Sequence, residues 1–137
     1  MLVKNTKYSD IPFFISKNSF TGDFNLVKDA SAIRQAVKNI ILTRMGERPF
    51  EYKFGASPYD LMFENLSGLL KIEYQALVAE ALTTFEQRII INDIYISDQF
   101  DLTSDITDPN SISVEISFGI PDLNINETIN IQVTRTR

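Results

Sequence analysis

The chain has 137 residues, a net charge of −5, and 44% hydrophobic and 23% charged residues, a composition typical of a soluble globular protein. It contains no Cys and no His, which excludes disulfides, thiolate nucleophiles, sulfur-ligated zinc and any Ser-His-Asp arrangement. No stretch approaches the roughly 18 apolar residues of a membrane span, and the start lacks a signal-peptide core, so we expect no membrane contact and synthesis in a cytoplasm.

The first 28 residues contain many aromatic side chains but show no sustained periodicity. Tyr8, Phe13, Phe14, Phe20 and Phe24 are interspersed with Ser, Asn and Lys. Such a segment predicts an extended arm. Its aromatic residues either fill the core of the same domain or lie on a neighbouring subunit, and the sequence leaves both interpretations open.

Three helices are predicted next along the chain. Apolar residues recur at helical spacing over 33–41, with Asp29 or Ser31 as a possible N-cap. A Ser-Pro-Tyr-Asp sequence predicts a short helix over roughly 58–66. After a Ser-Gly break, helical spacing resumes over 70–85, and this third helix should pack against the first.

After Arg88 the hydrophobic period becomes two. Alternating apolar residues predict three half-buried strands, centred near Ile94, Val114 and Ile131. The predicted fold class is therefore α+β, in one domain with an extended arm (1–28), a helical part (29–88) and a small C-terminal antiparallel sheet (89–137). The helices should cover one face of that sheet.

The last predicted strand has few of the features that usually protect a sheet edge. Residues 127–134 contain no Pro and only one charged residue, Glu127. The strand that carries Ile129, Ile131 and Val133 is thus either an edge on which a partner strand docks or a central strand. The pattern alone fits both positions.

Charge and carboxylate spacing argue against an enzyme or a nucleic-acid-binding protein. Residues 1–88 hold eleven basic and ten acidic groups, whereas 89–137 hold two basic and eight acidic ones. The acidic half repels phosphate backbones and favours a basic protein partner. No two carboxylates have a spacing that singles out a catalytic pair, and we expect no metal or other cofactor.

Two clusters contain pairs of charges that core packing does not require. Arg44 and Arg48 flank a Gly turn and are followed by Pro49 and Phe50. Glu86, Gln87 and Arg88 lie where the third helix meets the first strand. Because an Arg fork can hold a carboxylate through two parallel hydrogen bonds, each cluster is either an internal clamp or an anchor for a partner.

At these clusters the sequence resembles the baseplate sheath-initiator family of contractile-tailed phages, which has relatives in type VI secretion baseplates. The likeness runs over most of residues 8–137. It is carried by the ordered segments Tyr8-Ser9-Asp10-Ile11, Thr43-Arg44-Met45-Gly46-Glu47-Arg48-Pro49-Phe50, Phe54-Gly55, Leu61-Met62-Phe63-Glu64-Asn65 and Phe85-Glu86-Gln87-Arg88-Ile89.

The resemblance implies a structural subunit with two kinds of partner. Glu86, Gln87 and Arg88 correspond to a family Glu-Pro-Arg motif that contacts the core bundle of the baseplate wedge, although Gln87 replaces the Pro and removes its bias toward extended backbone. We expect Arg44, Arg48, Pro49 and a buried Phe50 to form a fixed corner that presents this motif. The family's C-terminal sheet implies that residues 93–134 accept strands from the first sheath ring.

The resemblance also implies a location and leaves two alternatives. We expect about six copies in the tail baseplate of a virion that is assembled in the host bacterial cytoplasm. A peptidoglycan-degrading tail lysozyme is the alternative function, because some relatives carry that label. The equivalent type VI secretion subunit is the other alternative, and the sequence does not decide between the two systems.

Overall fold

The computed structural model describes residues 6–64, 66–98 and 111–134. It has an α+β architecture, in which helices pack on a three-stranded antiparallel sheet and a second sheet of two short strands lies near the start of the chain. The elements in chain order are β1 (Ser9–Asp10), β2 (Val27–Lys28), α1 (Ala30–Leu42), a 3-10 helix (Pro58–Phe63), α2 (Gly68–Phe85), β3 (Ile90–Ser97), β4 (Ser111–Ile120), a second 3-10 helix (Pro121–Leu123) and β5 (Ile125–Thr134).

The predicted α+β class and the sheet of three strands are confirmed. The helix predicted over 58–66 is a 3-10 helix that ends at Phe63, and Ser57 caps it by accepting a hydrogen bond from the Tyr59 N–H. The third helix begins at Gly68, and the Ser67 side chain accepts from the Leu70 N–H. No helix of the described residues is both long and apolar enough to cross a membrane.

Asp29 precedes α1, as predicted, but does not cap it with its side chain. The residue has a φ of 51°, and its carboxylate makes no cap hydrogen bond to the helix. One carboxylate oxygen instead accepts from the backbone N–H groups of Lys7 (2.9 Å) and Tyr8 (3.3 Å). Asp29 therefore ties the start of the chain to the helix.

The three-stranded sheet has the order β3-β4-β5, so β4 is central and β5 lies at an edge. The register stacks Ile94, Ile116 and Ile129 in one row across the sheet, and Ile96, Val114 and Ile131 in the next. These rows belong to the face that the helices cover, as alternation predicted. The sequence allowed the last strand to be either an edge strand or a central one, and among the described residues β5 is an edge strand.

The core lies between this sheet face and the helices. Phe118 on β4, Ile33 and Ile41 on α1, and Leu82 on α2 are among its fully buried residues. Helices α1 and α2 contact each other, α2 also contacts β3, and α1 also contacts β5. The predicted packing of the third helix on the first is confirmed.

The start of the chain folds back on itself. β1 and β2 pair in antiparallel fashion, and a further bridge joins Lys17 to Phe24, so residues 6–28 form a loop. Phe13, Phe14 and Phe20 on this loop are exposed, and so is Phe24. The interpretation that these four aromatic residues fill the domain's own core is therefore wrong. We call residues 11–26 the aromatic loop.

Gly55 allows the chain to pass close behind the end of α1. Its φ is +111°, and a Cβ built on it would lie 2.2 Å from the Thr43 carbonyl oxygen. Only a residue without a side chain fits there, since both the backbone conformation and the close approach exclude a Cβ. The adjacent Ala56 N–H then donates to the Ile40 carbonyl (3.2 Å).

We predict that Gly55→Ala lowers the free energy of unfolding by about 2 kcal/mol or more, because it combines a left-handed φ with overpacking against backbone. Urea denaturation followed by circular dichroism measures the effect. Gly68→Ala is the matched control, because no atom lies within 4 Å of its Cβ position and no positive φ is required. Equal stability of the two variants would contradict this account of Gly55.

Candidate functional site

The junction between α2 and β3 contains a buried charge pair. Glu86 follows the last residue of α2 and is only 4% exposed. The Arg88 guanidinium donates through Nε to Glu86 Oε1 and through Nη2 to Oε2, each at 2.6 Å, and the Arg88 backbone N–H donates to Oε1 at 3.3 Å. Gln87, between them, is exposed. The pair is a bidentate clamp across a two-residue turn.

Tyr8 connects this clamp to the start of the chain. The Arg88 guanidinium lies over the Tyr8 ring, 5.1 Å from its centroid. The Tyr8 hydroxyl donates a hydrogen bond to the Asp122 carboxylate, and the Lys7 ammonium lies 3.0 Å from the same carboxylate. The side chain of Arg88 is thus held between a carboxylate and an aromatic ring. We call Lys7, Tyr8 and Asp122 the latch.

Hydrogen bonds and nearby charges shift the pKa values of Arg88 and of the three latch residues. The hydrogen bonds that Arg88 donates to Glu86, opposed by burial, raise the pKa of the Arg88 guanidinium. The hydrogen bond to Asp122 raises the pKa of the Tyr8 phenol and also that of the Lys7 ammonium. The same two donors lower the pKa of the Asp122 carboxyl, with Tyr8 the larger cause.

The Gly-turn corner lies beside the end of α2. Arg48 stacks over the Phe54 ring at 4.0 Å, and Phe54 packs on Phe85, with 4.9 Å between ring centroids. Arg44 pairs with Asp60 at 2.8 Å. Because Phe85 immediately precedes Glu86, the structure brings the corner and the Glu86–Arg88 clamp to the same end of the helix.

Phe50 is fully exposed, so the prediction that it is buried in the corner is wrong. Its φ is +70°, a left-handed conformation that is uncommon for a bulky residue, and Pro49 before it is exposed as well. Phe50 borders a groove of about 790 Å³ together with residues of the C-terminal half of α2, including Leu77 and Phe85. We call this the corner groove.

The three residues predicted for strand docking lie on the covered face of β5. Ile131 and Val133 are buried and Ile129 is partly buried, whereas Asn130 and Gln132 between them are exposed. Their side chains therefore serve the core. Within the described residues only β4 pairs with β5, so the other side of β5 is an open edge.

A second groove runs beside this open edge. It has a volume of about 630 Å³ and separates β5 from α1 and the aromatic loop. Its lining residues are Phe13, Phe14, Arg34, Gln35, Lys38, Asn39, Leu42, Thr128 and Ile129. A further groove of about 500 Å³ shares Leu42 with it and reaches Thr134. Together these two grooves form the edge groove.

The described residues offer little for catalysis or metal binding. No group of three or more acidic side chains among them could hold a metal ion. Glu86 is the buried carboxylate at the motif position, and both of its oxygens are bound by Arg88.

Comparison with known proteins assigns the family. The family model of the baseplate wedge protein gp25 matches residues 27–125. The baseplate wedge protein gp25 of Enterobacteria phage T4 is 30% identical over 121 residues, which are 86% of this chain and 83% of that protein. The chain belongs to the gp25 family. It is therefore a structural baseplate protein of a contractile tail, part of a multi-subunit assembly, and the resemblance noted in the sequence is confirmed.

Solved structures share the gp25-family fold at lower identity. A chain of the anti-feeding prophage baseplate has a TM-score of 0.65 and 20% identity, covering 82% of this chain and 85% of that one. The crystal structure of a putative tail lysozyme from Geobacter sulfurreducens has a TM-score of 0.62 and 19% identity, covering 77% of this chain and 89% of that one.

Sequence reasoning identified the clamp and its proximity to the corner, but it missed two contacts of this chain. Tyr8 was predicted to lie in the aromatic arm, and nothing in the sequence paired it with Asp122, which is 114 residues away. Gln35 was also missed, although its side chain holds the aromatic loop through Ile11 and Phe13. Contacts between residues so distant in sequence leave no periodic signal.

We predict that Phe50→Ala leaves the melting temperature nearly unchanged, because surface substitutions seldom change stability by more than about 0.5 kcal/mol. Phe54→Ala, four residues away, is the matched control, and it should cost about 3–5 kcal/mol because Phe54 is buried against Phe85. Differential scanning calorimetry compares the two. If Phe50→Ala lowered the stability as much as Phe54→Ala does, the Phe50 side chain would have to be buried in solution.

The latch should depend on pH. Because the pKa of Asp122 is lowered in the folded protein, its contribution is complete above the unfolded carboxyl pKa of about 4 and is lost as the pH falls through the lower folded pKa. Because the pKa of Lys7 is raised, its contribution is complete below the unfolded value of about 10.4 and is lost as the pH rises through the folded pKa.

We therefore expect the NMR signals of the Tyr8 ring to be constant between about pH 4 and 10 and to shift outside that window. Asp122→Asn should abolish the shift on the acidic side while leaving the fold intact, since the latch is on the surface. Identical acid titrations of the variant and the parent protein would contradict the latch.

Proposed function

We propose that the protein is a baseplate wedge subunit that binds the wedge core through Glu86, Gln87 and Arg88 and initiates the sheath through the open edge of β5. The proposal combines family membership with two features of the surface, namely the clamp and the edge. The clamp is the observation that carries wedge attachment, because Glu86 and Tyr8 fix the direction of Arg88 before any partner arrives.

Attachment to the wedge core needs hydrogen-bond donors and apolar surface close together. Glu86 accepts from two of the five guanidinium N–H groups of Arg88, which leaves other N–H groups for a partner. Gln87 adds an exposed amide. The corner groove, with exposed Phe50 on its rim, borders Phe85 at the end of the same helix and supplies the apolar surface that interfaces usually bury at their centre. On this view the corner is an interface rather than a support.

Sheath initiation follows from the edge position of β5. An edge strand presents unpaired N–H and C=O groups along its free side, and an extended segment of another chain can add to it. The buried row of Ile129, Ile131 and Val133 fixes the register of β5 itself. A strand from the first sheath ring would then continue the sheet.

The assembly context follows from the same proposal. About six copies would be arranged around the tail baseplate of a virion and assembled in the host bacterial cytoplasm. Phage tails and related contractile injection systems would use the same two contacts. The neighbouring genes decide between them, since tail-tube, sheath and wedge genes of one system would lie beside this one.

The geometry does not favour the alternative of a lysozyme. A glycosidase needs a carboxylic acid that donates a proton and a second carboxylate within about 5–10 Å across an accessible cleft. Glu86 is buried and bound through both oxygens by Arg88, so its carboxylate faces neither a substrate nor water. Clearing of a peptidoglycan suspension by the purified protein would support the lysozyme.

We predict that Arg88→Ala and Arg88→Lys both abolish co-purification with wedge core proteins, because a Lys cannot reproduce the fork that Glu86 holds. Truncating a hydrogen-bonded charge that becomes buried at an interface typically costs about 2–5 kcal/mol of binding. Lys28→Ala, which removes an exposed cation on β2, is the matched control and should bind normally. A folded Arg88→Ala protein that still assembles into wedges would refute attachment through Arg88.

A Pro scan of β5 tests sheath initiation. Because successive N–H groups of a strand point to opposite sides, one of Ile131 and Gln132 donates toward β4 and the other toward the free edge. We expect Pro at the outward-facing position to retain the fold and wedge binding but to abolish sheath polymerisation. Asn92→Pro, in the bulge of the other edge strand, should polymerise normally. A folded, wedge-bound β5 variant that nucleates full-length sheath would refute docking through β5.

A further inference from the structure

The edge groove is more than an open strand edge, because a helix wall and the aromatic loop enclose it. One wall is α1, where Arg34, Lys38 and Leu42 repeat every four residues and so form one stripe along the groove. Across from this stripe, Thr128 and Ile129 of β5 line one part of the groove and Thr134 lines the other. Six residue steps of β5 separate Thr128 from Thr134, which is about 20 Å of extended strand.

The stripe changes character along its length. Arg34 already pairs with Glu127 at 3.7 Å, whereas Lys38 is exposed and pairs with no acidic side chain of the described residues. One turn further, Leu42 is apolar and partly buried, and it belongs to both parts of the groove. A segment that enters beside β5 thus meets an unpaired cation and then an apolar side chain.

The aromatic loop borders the groove at Phe13 and Phe14. Gln35 fixes the loop there, since its side-chain amide donates to the Ile11 carbonyl (2.7 Å) and accepts from the Phe13 N–H (3.2 Å). The two Phe rings meet edge to face at 6.1 Å and are both exposed. Two exposed aromatic rings held at the mouth of a groove are suited to cover a bound chain.

We infer that the edge groove selects one extended segment of the sheath protein and that Phe13 and Phe14 cover it. In this segment an acidic side chain faces Lys38, and an apolar side chain two positions away faces Leu42. This inference rests on the proposed docking at β5 and specifies what docks there. Side chains two apart on a strand share a face, so the alternation matches the stripe of α1 and the apolar row of β5.

The charge of Lys38 has a different role from the negative net charge of the C-terminal half of the chain. The acidic C-terminal half of the chain favours a basic partner surface at long range. Lys38 acts only at contact distance and selects the single side chain that enters the groove. An otherwise basic sheath surface with one acidic residue in its docking segment satisfies both conditions.

Sheath nucleation on assembled wedges, with the cognate sheath protein as the probe, tests the inference. Lys38→Glu should raise the sheath concentration for half-maximal nucleation about fivefold at low salt, and the difference should shrink at high salt. Phe13→Ala with Phe14→Ala should raise it about tenfold at any salt. Lys28→Glu and Phe20→Ala are the matched controls, because both residues are exposed and neither lines the edge groove.

A photo-crosslinker in place of Phe14, in the complete baseplate with its sheath, identifies the occupant directly. The expected product joins this chain to a sheath segment that contains Asp or Glu two residues from an apolar residue. Products with a wedge protein or a second copy of this chain only, or normal nucleation by both the Lys38 and the Phe variants, would overturn the inference. If the β5 Pro variant does not nucleate sheath while the Lys38 and Phe variants nucleate it normally, this inference is wrong but docking at β5 stands. If the β5 Pro variant also nucleates sheath normally, the proposed function is wrong as well.

Discussion

A carboxylate that is almost fully removed from water must have a partner, and the pairing of Glu86 with Arg88 is the constraint on which much of this molecule depends. The two residues are only two positions apart, so the clamp fixes the direction in which the chain leaves α2 and enters β3. The same contact directs the Arg88 guanidinium onto the Tyr8 ring. The Tyr8 hydroxyl in turn donates to Asp122, which is 114 residues away in the sequence.

The clamp also explains how a chain without His and Cys can have an organised surface site. A buried pair contributes less to stability than its Coulomb attraction suggests, because both charges lose their hydration. What it contributes is orientation, since two hydrogen bonds and a ring contact leave Arg88 few rotamers. In this chain the bidentate clamp fixes the turn at Gln87 without the restriction that a Pro ring would add.

The sheet divides the protein into surfaces with different tasks. One face of β3, β4 and β5 is filled by isoleucines, valines and Phe118 under the two helices, which holds the register of β5. Because α1 packs on β5 without pairing with it, the main-chain edge of β5 stays open among the residues that the structure describes, and the helix forms one wall of the groove beside it.

The sequence by itself determined the elements that local periodicity encodes: one amphipathic helix, a second helix with apolar residues at helical spacing, three alternating strands, a Ser-capped turn of helix and the α+β class. It also determined the proximity of Glu86 and Arg88, because residues two apart at a helix end cannot separate far. Only the tertiary structure decided that β5 is an edge, that Phe50 and the aromatic loop are exposed, and that Tyr8 meets Asp122. Strand order, burial of an aromatic side chain and contacts over more than a hundred residues depend on how all elements pack together, and no short window of sequence contains that information.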